Sequence, residues 1–458
     1  MRRMKHNLKL DMLDRHTLWR TLILFALPII GSGVVQQSFN SVDLAVVGRF
    51  IGSDALAAVG ANGSVISLII TLFMGIALGA NVVISRALGA DNPEVVRHSV
   101  STQALFSIAA GVFLAVLGLI IAEPILTLLD TPANVLPQAT LYLKIYALGF
   151  PGMMIYNFIS AVLRSIGDTM RPLIWLIIGG VVNVILNIVL VVYTGTGVEG
   201  VAIATAVSNY VSAAGVAVIL MRTRGDLHLS FKGIRMYWPE FRAMVRIGLP
   251  AGIQGTLFAL SNVVIQSNIN LFGAEVMAGN AAALVYEVYG YFIISAFVQA
   301  AVAFVSINYG ASQMAMCRIV TRRCMLLGAA GTLVFNGFVA WQGTFAIGLL
   351  TDSPEAVHYG LMRLNIVLIW QFIATSYEVA GGALRGLGYS FIPMVITLLG
   401  TCVVRIIYVK FTSFGQSIES LLNIYPLTWL LTGVGMLVTY FIISRKVFRE
   451  PRQKLVVS

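Results

Sequence analysis

Twelve apolar runs, each long enough to cross a bilayer as a helix, follow one another along the chain, and no stretch between them is large enough for a water-soluble domain. A hydrocarbon core about 30 Å thick takes roughly 20 helical residues. With soft boundaries the runs are 21–47, 57–84, 100–122, 138–162, 171–194, 198–221, 244–271, 277–308, 324–350, 358–383, 389–411 and 420–444. Composition agrees: 58% of the 458 residues are hydrophobic, 11% are charged, and the mean hydropathy is +0.88. Such a chain is neither a soluble enzyme nor a disordered one. Three cysteines, Cys317, Cys324 and Cys402, are too few for a disulfide or zinc framework. The first run is longer than a signal-peptide core and follows a basic stretch with no small-residue cleavage site, so it reads as a retained helix. The expected fold class is an all-α polytopic membrane protein.

The net charge of +11 could indicate nucleic acid, but the position of the charges argues otherwise. Loops that stay in the cytoplasm carry the excess of Lys and Arg. Of the 30 basic residues, 25 fall on the side of the two termini and the even-numbered loops; only Arg49, Lys144, Arg363, Arg405 and Lys410 do not. Carboxylates outside the spans divide eight and eight, so the asymmetry lies in the cations alone. Both termini are expected to be cytoplasmic, and no nucleic-acid partner is expected. Arg363 and Arg405 lie near the outer face, where their side chains are expected to snorkel.

The chain repeats itself. Arg20, Leu27, Pro28 and Gly33 recur as Arg242, Leu249, Pro250 and Gly255 at an offset of 222. Leu163-Arg164, Gly167 and Pro172 recur as Leu384-Arg385, Gly388 and Pro393 at 221. The organisation read from this is a cytoplasmic segment 1–20, a six-helix lobe 21–221, an inter-lobe loop 222–243, a second six-helix lobe 244–444 and a basic cytoplasmic tail 445–458. Six spans per half is an even number, so the lobes enter the membrane in the same sense and are expected to be related by a pseudo-two-fold axis along the membrane normal. A cleft between two such lobes is where alternating-access transporters bind substrate.

Three carboxylates lie inside the spans: Asp43, Glu287 and Glu378. A charge at mid-helix costs roughly 2.5–3.5 kcal/mol to insert, so each is a functional candidate. Gln36, Asn40 and Asp43 form one polar stripe at i, i+4 and i+7. Asn183 and Asn187 in the fifth span, with Thr205 and Asn209 in the sixth, could gather oxygen ligands and one carboxylate around a small cation, Na+ or H+. In the second half Glu287 shares a helix face with Tyr291, and Glu378 adjoins Tyr377. Carboxylates beside aromatic rings favour a lipophilic organic cation. No basic residue lies within one turn of Glu287 or Glu378 on its own helix, so both are expected to lack an internal ion-pair partner.

Gly195-Thr196-Gly197-Val198-Glu199-Gly200 satisfies a dinucleotide-binding pattern, but its flanks are membrane-length runs and it reads as a tight outer turn. The five histidines show no metal-ligand spacing, and no nucleophile–base pair or phosphate loop is present. The chain is therefore not expected to be an enzyme.

Ser41-Val42-Asp43-Leu44-Ala45-Val46-Val47-Gly48, continued by Ile51-Gly52 and Ala55-Leu56-Ala57-Ala58-Val59-Gly60, resembles the first-span signature of the MATE multidrug and toxic compound extrusion family. Leu163-Arg164-Ser165-Ile166-Gly167-Asp168 and Gly381-Gly382-Ala383-Leu384-Arg385-Gly386-Leu387-Gly388 resemble its paired fourth- and tenth-span motifs. The resemblance implies a V of two six-helix lobes in the bacterial cytoplasmic (inner) membrane, without a cofactor, exporting amphipathic and cationic compounds against inward Na+ or H+; twelve spans suffice for a working monomer. It also implies that Asp43, Asn183, Asn187 and Thr205 form a cation site of the prokaryotic DinF- and MepA-like kind, with Asp43 the candidate Na+ ligand. Asn187 stands where those members often carry an aspartate. The acidic residues of NorM-type members align with Phe258 and Ala374. The alternative is a lipid-linked sugar flippase of the same superfamily fold, whose anionic substrate should require several basic residues in the cleft.

Overall fold

The computed structural model describes residues 12, 14–223, 225–229, 233–411 and 417–448; the remainder of the basic N-terminal segment, Lys232 and the tail beyond 448 lie outside the described residues. Eleven helices are long and apolar enough to cross a membrane, and a bent pair makes a twelfth span. They are α1 (Leu18–Phe50), α2 (Ser53–Gly89), α3 (Pro93–Leu128), the pair α4 (Leu136–Ala147) and α5 (Phe150–Ser165), α6 (Met170–Tyr193), α7 (Val198–Arg222), α8 (Trp238–Phe272), α9 (Ala274–Gly310), α10 (Met314–Trp341), α11 (Pro354–Gly386), α12 (Phe391–Lys410) and α13 (Ile418–Val447). The expected all-α class and the count of twelve spans agree with this arrangement.

Local sequence accounts for the helix ends. Asn92 and Ser353 each accept a hydrogen bond from a backbone N–H in the first turn of their helix, Val95 and Ala356, with proline as the first helical residue of both. The fourth span bends by 47° between α4 and α5, where Pro151 cannot donate to the carbonyl four residues earlier. Faces left uncovered are apolar: Val112, Phe113, Val116 and Ile120 on α3, and Leu427, Leu430, Leu431 and Val434 on α13, are exposed. A surface of this kind is stable against hydrocarbon and not against water.

The chain forms two compact units. Gly31–Val245 make one; the residues from Arg246, with those up to Ile30, make the other. This division does not coincide with the sequence boundary at residue 21. The start of α1 belongs with the second half: Phe25 packs edge-on against Phe304 at 5.3 Å, and Arg323 caps the Trp19 ring at 4.8 Å. Pro28 stands in α1 just before the division.

Within each unit the repeat is written in the backbone. Gly52, Asp91 and Gly167 have positive φ, and so do Gly273, Ser312 and Gly388, each 221 residues later. Gly167 (φ 84°) and Gly388 (φ 88°) terminate their helices in the same way. The N–H after each reaches back to the carbonyl of Leu163 or Leu384, and the glycine's own N–H to that of Arg164 or Arg385. Only a left-handed residue closes this pattern, which explains why Leu-Arg, then Gly, recurs in both halves. Ser85 donates to the Ser165 carbonyl at 3.5 Å and Ser306 to that of Gly386 at 3.4 Å, the same contact at the same offset.

Candidate functional site

In the first half, α1, α6 and α7 bring four of the sequence-identified residues together. Asp43 is buried, and Val46, Val47, Val191, Val201 and Ala202 of the same three helices belong to one apolar cluster. Asn187 donates its amide N–H to Asp43 Oδ1 at 2.5 Å and also to Asn183 Oδ1 at 3.2 Å. The single Thr205 hydroxyl proton lies between the Val201 carbonyl at 3.0 Å and Asp43 Oδ2 at 3.4 Å, and Oγ1 receives a hydrogen bond from Asn183 at 3.3 Å. The i, i+4 spacing of the two asparagines stacks them on one face of α6, and the helix widens to a π-helical segment, Ile188–Tyr193, directly after Asn187. Such segments recur at functional sites because they re-aim side chains.

Gln36 and Asn40 lie on exposed parts of α1 and do not enter this cluster. At 1.5 Å per residue Gln36 stands about 10 Å along the helix axis from Asp43 and Asn40 about 4.5 Å, and neither is hydrogen-bonded to Asp43, Asn183, Asn187 or Thr205 among the described residues. Tyr142 and Tyr146, which sequence reasoning missed, are near enough for the Asp43 charge to act on both. Their i, i+4 spacing on α4 was the available signal.

The cluster's chemistry fits a small hard cation. Carboxylate, amide and hydroxyl oxygens converge, and Asn187 Oδ1 is buried without a hydrogen-bond partner. With the amide nitrogen toward Asp43 the cluster is closed by hydrogen bonds; a half-turn of the amide presents the unsatisfied oxygen instead. Among the described residues no group of three or more His, Cys, Asp or Glu could hold a metal.

The second half corrects two expectations. Glu287 has an internal partner: Arg363 Nε donates to Oε1 at 2.5 Å and Nη2 to Oε2 at 2.9 Å. Nη1 of the same arginine donates to Asn280 Oδ1 at 2.5 Å, and Gln371 donates to the Glu287 carbonyl at 2.9 Å. The partner sits on a neighbouring helix, 76 residues away, where inspection of a single helix finds nothing. Nor do Arg363 and Arg405 snorkel: they are 1% and 0% exposed. Protein partners inside the lobe take the place of water. Glu378 is half-buried and feels the charge of Arg385, two turns further along α11. Tyr291, 40% exposed, is close enough to feel Glu378, whereas Tyr377 is fully buried. A second π-helical segment, Leu364–Leu368, begins immediately after Arg363.

Twelve helical spans in two repeated halves, one holding a closed polar cluster and the other a buried ion pair, define a membrane transporter. The chain belongs to the MatE family, which matches residues 28–189 and 250–409, one match in each half. Members of this family are transporters and not enzymes, and need no cofactor. The chain is 28% identical to the probable multidrug resistance protein YoeA of Bacillus subtilis, over 84% of this chain and 85% of that one. It is 25% identical to the probable multidrug resistance protein NorM of Thermotoga maritima, covering 86% and 87%. Among solved structures, an outward-facing multidrug resistance MATE family transporter of the MOP superfamily superposes with a TM-score of 0.87 at 18% identity, covering 94% of this chain and 97% of that one. At that identity the likeness concerns the fold.

Proposed function

We propose that this protein is a secondary active antiporter of the bacterial cytoplasmic membrane, with both termini in the cytoplasm, exporting amphipathic and cationic compounds by alternating access in exchange for an inward monovalent cation, Na+ or H+. The observation that carries the reading is the Asp43 cluster: one buried carboxylate within hydrogen-bond reach of two neutral side chains. A carboxylate in such surroundings is stabilised by whatever small cation reaches it. The relatives named for multidrug resistance support the substrate class. In the second half Glu378 and Tyr291 are the pair with a charge and a face to offer an organic cation. Glu287, already balanced by Arg363, and the buried Tyr377 support that face from within.

The test is transport of a fluorescent monovalent organic cation in proteoliposomes under separately imposed Na+ and H+ gradients. The wild type should move the dye under at least one gradient. Asp43→Asn, which keeps shape and removes charge, should fold and insert but not exchange. Absence of transport under both gradients, or wild-type rates for Asp43→Asn, would overturn the reading.

A further inference from the structure

The second lobe encloses more positive than negative charge. Its buried basic side chains among the described residues are Arg363, Arg385 and Arg405, against one buried carboxylate, Glu287, and the half-buried Glu378. Glu287 is taken by Arg363, and Arg385 donates from Nη2 to Gln254 Oε1 at 2.8 Å; Arg405 has no carboxylate partner among the described residues. Its contacts are neutral: Nε donates to Thr428 Oγ1 at 3.2 Å and Nη1 to Asn262 Oδ1 at 2.7 Å. The guanidinium lies over the Tyr425 ring at 4.5 Å and the Phe258 ring at 5.4 Å. Nη2 is buried with no acceptor at all.

A second unsatisfied donor packs on the same tyrosine. Trp429, one helical turn from Tyr425 with ring centroids 6.0 Å apart, is 5% exposed, and its Nε1–H has no acceptor either. Indole and guanidinium nitrogens can only donate. The Tyr425 ring thus carries Arg405 at 4.5 Å, Arg363 at 4.9 Å and the Trp429 ring at 6.0 Å, and around it one N–H group of Arg405 and that of Trp429 stay buried and unpaired. A buried cation without a counter-charge is strongly unfavourable, and the complement that relieves both deficits is an anion with free lone pairs.

We infer that the second lobe holds an anion site built on Arg405 Nη2 and Trp429 Nε1 between α12 and α13, taking a monovalent anion: free chloride or the carboxylate of an amphipathic compound. The site is enclosed, so an anion enters as the helices part. The π-helical segment Leu398–Val403, immediately before Arg405, is where α12 has the slack to adjust. This inference goes beyond the antiport reading and is read out without transport, so either can fail alone.

The experiment follows the thermal unfolding midpoint of the full chain in lipid nanodiscs while methanesulfonate is replaced, at constant ionic strength, by chloride in one arm and benzoate in the other. The wild type should gain stability along a saturating curve. Saturation by chloride identifies a free-ion site, and saturation by benzoate alone identifies a substrate carboxylate. Arg405→Met should abolish the dependence. Arg405→Lys, which keeps the charge, should weaken half-saturation about tenfold, and Trp429→Phe about fivefold. These last two decide the matter if Arg405→Met does not fold. No saturable response to either anion in the wild type, or an unchanged response in the variants, would overturn the site.

Discussion

Arg363 and Glu287 form a two-pronged ion pair between α11 and α9, with the guanidinium 1% exposed and its remaining arm on Asn280. Breaking a buried pair from one side leaves the other charge stranded, which costs about 3–5 kcal/mol; replacing both partners by apolar residues is often neutral. Arg363→Met alone should therefore lower the unfolding midpoint sharply, while Arg363→Met with Glu287→Met should recover most of the loss. Chemical unfolding in detergent measures both. A single variant no less stable than the double variant would mean that the pair does not act as a unit.

Helix contact in the first half depends on Gly111. A Cβ there would stand 2.5 Å from the Pro151 Cα, a backbone atom that cannot turn aside, whereas at Gly63 a Cβ meets nothing within 4 Å. Gly111→Ala should destabilise by about 1–3 kcal/mol through overpacking of α3 on α5. Gly63→Ala should instead stabilise by up to about 1 kcal/mol, since alanine is the better helix former. Opposite signs from one substitution type check the packing directly by thermal unfolding.

The spans and the repeat were legible because each is written in spacing, membrane-length runs and an offset of 221; spacing put the two asparagines one turn apart, and the motif resemblance joined them to Asp43 and Thr205. Legibility stopped at pairing between helices. Arg363 and Arg405 carry no local mark distinguishing a snorkelling arginine from an enclosed one; the difference is made by Glu287, Asn262 and Thr428 on other helices. Gln36 and Asn40 show the reverse error. A periodic stripe says which residues share a helix face, not which of them reach the partners of Asp43. The start of α1 illustrates a third limit, because nothing before Pro28 records that Phe25 packs on Phe304.

Orientation can be tested on described residues. Asp226 is exposed in the inter-lobe loop and Thr194 in the turn after α6, and the three native cysteines are all buried, so background labelling should be low. With basic residues holding the even-numbered loops inside, Asp226→Cys should react with a membrane-impermeant maleimide only after cells are opened. Thr194→Cys should react in intact cells. The opposite pattern would invert the topology.

Asn187 is the position where the coupling ion is open to direct manipulation. Its amide N–H lies 2.5 Å from Asp43 Oδ1, so Asn187→Asp would replace a donor with a second acceptor at the same place. Two carboxylates at that separation cannot both remain ionised unless a cation lies between them. In the variant, then, either a proton is shared or a metal ion is held, and Na+ should compete with H+ for the gap. At high pH without Na+ the variant should be less stable than the wild type. Adding Na+ should restore it, with Na+ binding at least about tenfold tighter than in the wild type, a difference of about 1.4 kcal/mol. Asp43→Asn combined with Asn187→Asp returns the count to one carboxylate and should lose that gain. The measurement is the unfolding midpoint against Na+ at fixed ionic strength, at two pH values. If Na+ does not distinguish Asn187→Asp from the wild type, the four-residue cluster is not where the coupling cation binds.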